Sequence, residues 1–290
     1  LSLWGDQSPH LVKLTDAEIQ EKTVDELLGL VGKLLTYEQS ITYTGSLGLD
    51  EVVAKLKKHH PIEGDLVPPP PHLFLTARSP EQTEIRIFPK EMAQAQLYIE
   101  YGDVAYDESA QPVIGLYNNY FAGGMAGIVF QEMREARALA YSVGARYVSG
   151  SRPKDQSRMV GYVGTQTDKT PEAVEAFLDL MDNLPESPDR FTNAQNAMIN
   201  RYRTGKLGFR EVLGAVRGWE RLGLEPDPRK ARYEKVKQSG LEDVLTFHKE
   251  RIKGRPKLIS IVGDTSKIDQ ERLAKIGKPI IVGLEDLFVK

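Results

Sequence analysis

Five histidines, His10, His59, His60, His72 and His248, are the residues of this 290-residue chain best suited to hold a metal ion. A zinc peptidase helix presents two histidines on one face together with a glutamate, as in H-x-x-E-H. His60-Pro61-Ile62-Glu63 offers one histidine and one glutamate around a proline, which a helix interior does not tolerate. His59 and His60 read instead as the end of a solvent-exposed helix, where imidazolium complements the helix dipole. Phosphate chemistry fares no better. Gly29-Leu30-Val31-Gly32-Lys33 lacks the G-x-x-x-x-G-K-S/T spacing and lies inside a helical stripe. Gly45-Ser46-Leu47-Gly48 is not G-x-G-x-x-G and has no acidic ribose partner. No serine occupies a G-x-S-x-G elbow. Nucleotide, flavin and serine-hydrolase readings therefore have no support.

What remains is the stretch from Asn118 to Val143. Gly123 and Gly124 break one helix, and the next carries Phe130-Gln131-Glu132-Met133-Arg134-Glu135-Ala136-Arg137 before Ala138-Leu139-Ala140-Tyr141-Ser142-Val143 turns into a strand. By residue type alone, Arg134 is an arginine on an exposed helix face, Tyr141 a tyrosine of the sheet core, and the glycine pair a helix stop. Glu132 and Glu135 read as solvated or ion-paired helix residues, because no water-activating partner accompanies them.

The elements that must position this stretch follow from periodicity. Thr23 caps a helix whose Val24, Leu27, Leu28, Val31, Leu34 and Leu35 form a 3.6-residue stripe. Ser40–Thr44 has strand composition, and a second helix at about 50–60 turns Val52, Val53 and Leu56 inward. Pro61 to Pro71, with four consecutive prolines at 68–71 that can be neither helix nor central strand, reads as a linker or strap between units, the alternative being a stiff surface loop within one domain. Strands are expected near Thr83–Phe88, Gln96–Tyr101, Tyr141–Ser149, Arg158–Thr165 and Lys257–Val262, with another at Ile280-Ile281-Val282. Helices are expected with Val113, Leu116, Tyr117, Tyr120 and Phe121 on one face, from about Met125 to Ala138, from Thr170-Pro171, and through most of 187–251. Strand clusters separated by a helical block indicate an α+β fold with an antiparallel or mixed sheet against helices, not a doubly wound parallel sheet.

Apolar content of 40% and charged content of 27% are those of an ordinary globular protein. A net charge of −3 gives no global attraction to nucleic acid or anionic membrane. Zero cysteines exclude disulfides and thiolate metal sites and leave the compartment open. No run approaches the ~20 apolar residues of a membrane span, and no cationic start precedes an apolar stretch. These features suit a soluble protein, cytoplasmic or periplasmic if bacterial. The chain opens at Leu1 and not Met, which reads as a piece of a longer precursor.

Gly123-Gly124-Met125, Phe130-Gln131-Glu132, Arg134-Glu135, Arg137 and Leu139-Ala140-Tyr141-Ser142-Val143 together resemble the pitrilysin/insulinase metallopeptidase family, which includes the mitochondrial processing peptidases. In that family a glycine-rich turn precedes a helix ending in R-E-x-R-x-L-A-Y-S-V. Ala138 stands where the family often has glycine. The resemblance covers roughly residues 80–265. It implies ferredoxin-like layered α/β domains, two per half-enzyme, with two halves closing around a peptide chamber. Zinc sits in one half, and this chain resembles the other, the C-terminal zinc-free half, with no cofactor of its own. Residues 1–66 would be the end of a preceding homologous domain and 67–290 the zinc-free domain. Arg134 and Tyr141 would fall where the family places donors to the substrate carbonyl and oxyanion, and Gly123, Gly124 and Met125 would line the substrate chamber. The implied partners are a zinc-bearing homologous half, in the same precursor or a second subunit, and a peptide substrate. A non-catalytic scaffold or peptide-binding subunit of the same fold is the alternative.

Overall fold

The computed structural model describes residues 2–60, 62, 64–224 and 227–286. Pro61 and Glu63, which entered the metal-motif and linker readings, lie outside the described residues. The chain divides into two compact units, Lys13–Phe74 with Lys206–Gly218, and Leu1–Val12 with Leu75–Gly205 and Trp219–Lys290.

The smaller unit contains α1 (Asp16–Gln20), α2 (Val24–Leu34) and α3 (Leu49–His59). Thr15 and Thr23 cap α1 and α2 through reciprocal bonds with Glu18 and Glu26, the arrangement expected of Thr23. The apolar stripe of α2 exists, yet Val24, Leu27, Leu28, Val31 and Leu34 are all exposed. The strand expected at Ser40–Thr44 does not form. Among the described residues this region has a single bridge, Tyr37 to Val67, and a β-rich composition without a partner ladder cannot satisfy strand hydrogen bonds. The four prolines at 68–71 are exposed and carry no regular structure.

The larger unit is built on a mixed sheet of order β3-β4-β2-β5-β1-β6. Its strands are β1 (Glu84–Pro89), β2 (Gln94–Ala105), β3 (Ser142–Val148), β4 (Gln156–Gln166), β5 (Leu258–Gly263) and β6 (Pro279–Ile281). β3, β4, β2 and β5 run antiparallel, whereas β1 is parallel to both β5 and β6. Ile85, Ile87, Leu97, Ile99, Met159, Val163, Ile259 and Ile261 alternate along the strands and are buried, as a sheet with one covered face requires. The α+β expectation holds.

The covering helices are α4 (Gln111–Ala122), α5 (Ile128–Phe130), α6 (Thr170–Asp182), α7 (Pro188–Thr204), α8 (Phe209–Arg221), α9 (Arg229–Gln238), α10 (Leu241–Arg251) and α11 (Gln270–Leu273). Of these, α8 belongs to this unit only from Trp219. α4 packs against β3, α7, α9 and α10, so it is apolar on most of its circumference. Its Tyr117 stacks on Phe121 at 5.3 Å and meets Phe247 at 5.2 Å. Phe177 of α6 lies against Gly161 of β4, where any side chain would collide with its ring. Residues 2–12, expected with the first segment, instead join this unit, because Leu3 is buried with Ala77 and Leu258 and its carbonyl accepts from the Arg78 amide at 2.7 Å.

Several polar groups buried under the helices are paired, although the Tyr117 and Thr170 hydroxyls and one Arg190 nitrogen are not. Tyr147 donates to Asp103 at 2.7 Å, Tyr101 donates to the Arg251 carbonyl at 2.7 Å, and Lys257 reaches Asp182 at 3.1 Å. His248 on α10 is the titratable imidazole among the unpaired groups. It is 4% exposed, and neither ring nitrogen has a hydrogen-bond partner. Burial pushes its imidazole down to about 4, reinforced by Lys253 and Lys257 and opposed by Asp182. The unfolded chain takes up this proton near the ordinary pKa of 6.5 while the folded chain resists it. Stability therefore falls as pH drops from 6.5 toward 4, by up to ~3 kcal/mol at ~1.4 kcal/mol per unit. Urea midpoints of the chain and of His248→Phe, compared at pH 7 and pH 4.5, should show a smaller acid loss in the variant.

Candidate functional site

The site begins where α4 stops. The Gly123 amide bonds the Asn119 carbonyl at 3.0 Å, and a Cβ at 123 would collide with that same oxygen. Gly124 has φ +65°, a left-handed conformation that side chains disfavour. The chain then makes a short 3₁₀ turn, Gly124–Ala126, that leaves Met125 74% exposed. Gln131 ties the turn down by donating to the Met125 carbonyl at 2.6 Å. Gly123, Gly124 and Met125 thus form one projecting corner.

The helix expected from Met125 to Ala138 is shorter and different in kind. It starts at Ile128 as α5, and Gln131–Ala136 is π-helical, with the Arg137 amide reaching back to Glu132 at 3.2 Å. The amides of Leu139 and Ala140 both bond the Met133 carbonyl, at 2.9 and 3.2 Å. To close that turn, Ala138 adopts φ 49°. A left-handed alanine costs ~1–2 kcal/mol, which gives a backbone reason for the glycine common at this position in the family that the sequence resembles. Tyr141 then bonds the Gly164 carbonyl at 2.8 Å and hands the chain to β3.

This turn brings the two expected site residues together. The Arg134 guanidinium carbon lies 5.0 Å from the Phe130 ring centroid and 5.9 Å from the Tyr141 ring centroid. Arg134 is half-exposed, and Tyr141 is 72% exposed, so it is no core tyrosine. Nε of Arg134 is 3.7 Å from Glu135, too long for a hydrogen bond, and its terminal nitrogens have no protein partner among the described residues. Glu132 is 3.9 Å from Arg190, consistent with its ion-paired reading. Phe130, the platform under Arg134, belongs to the motif residues that carry the family resemblance, with no role assigned to its ring by the sequence.

Beside this pair runs β3, the terminal strand of the sheet. Asn118 accepts from the Tyr147 amide at 2.8 Å and donates to the Tyr147 carbonyl at 2.9 Å, acting as a surrogate strand at one end of the edge. By antiparallel alternation, Val143 and Ala145 point their amides and carbonyls outward as Tyr147 does, but no partner takes them among the described residues. A groove of about 160 Å³ lies alongside, lined by Ala122, Gly124, Met125, Phe130, Val143 and Gly144. Asn118 was legible only as the start of a motif, since its role depends on where β3 lies.

The histidines do not converge. His60 bonds Gln39 at 2.7 Å, His72 packs edge-on to Phe74 at 4.8 Å, and His248 is buried on α10 near Tyr117 of α4. Among the described residues no three His, Asp or Glu side chains are grouped so as to hold a metal. No helix of the described residues is long and apolar enough to cross a membrane.

Residues 41–198 match the family described as the peptidase M16 inactive domain. The fold is similar to a peptidase M16 inactive domain from Pseudomonas fluorescens, with 14% identity, a TM-score of 0.60, and 86% of this chain and 59% of that one covered. It is also similar to a conserved protein from Enterococcus faecalis, at 17% identity and TM-score 0.70, covering 87% and 58% of the two chains. A protease from Helicobacter pylori aligns at 11% identity and TM-score 0.63, covering 86% and 61%. This chain therefore spans about three-fifths of the length of these structures. No curated protein is matched by the sequence.

The strained Ala138 supplies a direct test of the turn. Ala138→Gly should raise unfolding free energy by ~0.5–1 kcal/mol in urea titration, because relief of left-handed strain outweighs the added freedom of the unfolded glycine. Gly124→Ala should lower it by ~1–2 kcal/mol for the same reason in reverse.

Proposed function

The chain belongs to the peptidase M16 inactive-domain family, and on that premise we propose that it is the zinc-free half of a zinc metalloendopeptidase, lining the peptide chamber and donating Arg134 and Tyr141 to the substrate. The observation that carries this reading is the convergence of Arg134 and Tyr141 on one exposed surface, across a π-helical turn held by a strained alanine. Irregular helix and left-handed backbone are costly, and such features concentrate at functional sites.

Peptide hydrolysis builds negative charge on the former carbonyl oxygen. A phenol and a guanidinium aimed there stabilise that charge as fixed donors. The Arg134 fork can grip a backbone carbonyl through its unpartnered terminal nitrogens, while the Tyr141 hydroxyl donates to the oxyanion. Stacking on Phe130 and Tyr141 restricts the guanidinium without consuming its donors. The open length of β3 at Val143 and Ala145 offers backbone groups to an extended peptide, and the adjoining groove with Gly124 and Met125 accepts a side chain. This supports Gly123, Gly124 and Met125 as chamber wall.

In this reading the metal chemistry is supplied by a partner half. The partner is a homologous half bearing H-x-x-E-H, in the same polypeptide or a second subunit. In this reading the segment up to residue 66 is the end of a preceding homologous domain and 67–290 the zinc-free domain, with residues 2–12 joined to the latter by packing. The free β3 edge would also serve a peptide-binding scaffold without catalysis. Retention of both Arg134 and Tyr141 favours the enzyme.

Combined with its zinc-bearing half, the chain should restore peptide cleavage. Tyr141→Phe and Arg134→Ala should each lower kcat by ~10²–10³-fold, the usual effect of losing one oxyanion donor, with assembly intact by size-exclusion chromatography. Unchanged turnover in both would remove them from the mechanism. Metal analysis of the isolated chain should find no stoichiometric zinc.

A further inference from the structure

A second feature lies on the sheet face opposite the helices. Segment 2–10 crosses that face and leaves a cleft of about 610 Å³ beneath it, within the range of small-ligand sites. Trp4, Phe88, Tyr98 and Val262 give it apolar walls, and Arg86, Lys90 and Arg158 line it with positive charge.

The charges do not balance. Glu100 is the lining carboxylate, and it is committed to Arg158 at 3.7 Å. Glu84 is shared between Arg78 at 2.5 Å and Nη2 of Arg86 at 3.2 Å. Nη1 of Arg86 is buried with no partner, and so is the Ser8 hydroxyl. Lys90 has no ion-pair partner among the described residues. One unpaired ammonium, one unfilled guanidinium nitrogen and one free hydroxyl at an apolar cleft call for a carboxylate attached to an apolar group.

The sheet register connects this cleft to the proposed catalytic edge. Arg86 pairs with Ser260, Ser260 with Tyr98, Tyr98 with Tyr162, and Tyr162 with Gly144 of β3. The Tyr98 and Tyr162 rings lie 5.3 Å apart along this row. From β1 to β3 the row crosses four strand spacings, ~19 Å at ~4.8 Å each, which an extended peptide of ~6 residues covers.

We propose that the cleft under segment 2–10 binds the C-terminal carboxylate and last apolar side chain of a peptide whose preceding residues lie along the Tyr98–Tyr162 row toward β3. Arg86 and Lys90 take the carboxylate, and Trp4, Phe88 and Tyr98 take the side chain. The identification of this peptide as substrate rests on the peptidase-half reading, whereas the ligand chemistry of the cleft does not.

The chain contains two tryptophans, so Trp219→Phe leaves Trp4, which lines the cleft, as the sole tryptophan, excited selectively at the red edge of its absorption. That full-length variant is titrated with an acetylated heptapeptide ending in leucine, with its C-terminal amide, and with octanoate. The free acid should change Trp4 emission saturably, and the amide should bind at least ~10-fold more weakly, the loss expected for one charge-assisted contact. Arg86→Gln and Lys90→Gln should each weaken the acid by ~5–10-fold on the same grounds, with unchanged circular dichroism. Equal binding of acid and amide, measured on the otherwise unaltered chain, overturns the proposal. Octanoate binding as tightly as the peptide overturns the peptide assignment. Arg134→Ala should leave this titration unchanged. If the cleft binds no peptide while cleavage with the zinc-bearing half still depends on Arg134, only the cleft proposal falls. If the acid binds and no cleavage is ever restored, the peptidase reading falls and the cleft stands.

Discussion

Two amides on one carbonyl hold the site together. The Met133 oxygen accepts from both Leu139 and Ala140, and the Met133 side chain is fully buried. This anchor fixes the point at which a helix must become a strand. Because the turn is closed so tightly, the helix widens to π geometry and Ala138 is forced into left-handed φ. Because it is closed there, Tyr141 emerges beside Arg134 and not beneath the sheet. The strain and the proximity are two results of one constraint.

The same anchor sets the register of β3 and so decides what the sheet edge offers. Asn118, one turn before the end of α4, occupies the Tyr147 groups with its side-chain amide and leaves Val143 and Ala145 open. An unprotected edge strand is an aggregation hazard, and one end of this one is blocked by a single side chain. The part that stays open is the part next to Tyr141 and the Gly124–Met125 corner. Opposite the helices, the sheet carries tyrosines and unbalanced cations where a plain solvent face would carry mixed charge. Both surfaces of the larger unit that lack protein cover are therefore suited to extended polypeptide, one through backbone groups and the other through side chains.

Electrostatics divides along the same line. Under the helices, Asp103, Asp182 and Lys257 are each paired, and the buried tyrosines Tyr101 and Tyr147 are held neutral by desolvation with Asp103 nearby. That side is built for stability, with His248 and the Tyr117 and Thr170 hydroxyls among its uncompensated groups. On the exposed side, Arg134, Lys90 and part of Arg86 keep donors in reserve. Donors left unfilled contribute nothing to folding, and their place is explained by what they can bind.

Much of this was legible in the residues themselves. Period-two alternation of Leu97, Ile99 and Tyr101 marked β2, and the stripe through Val113, Leu116, Tyr117, Tyr120 and Phe121 marked α4, because burial on one face is written directly in residue order. The Arg134 and Tyr141 pair was singled out by its motif, and the glycines by their punctuation. The strand expected at Ser40–Thr44 failed because strand formation depends on a partner that composition cannot supply. The π-helix, the left-handed Ala138 and the exposure of Tyr141 depend on how Met133 is buried, and nothing local encodes that depth. The free edge at Val143 and Ala145 and the row from Arg86 to Gly144 depend on strand order. Strand order joins residues far apart in the chain, so only the tertiary structure could decide which of them share a surface.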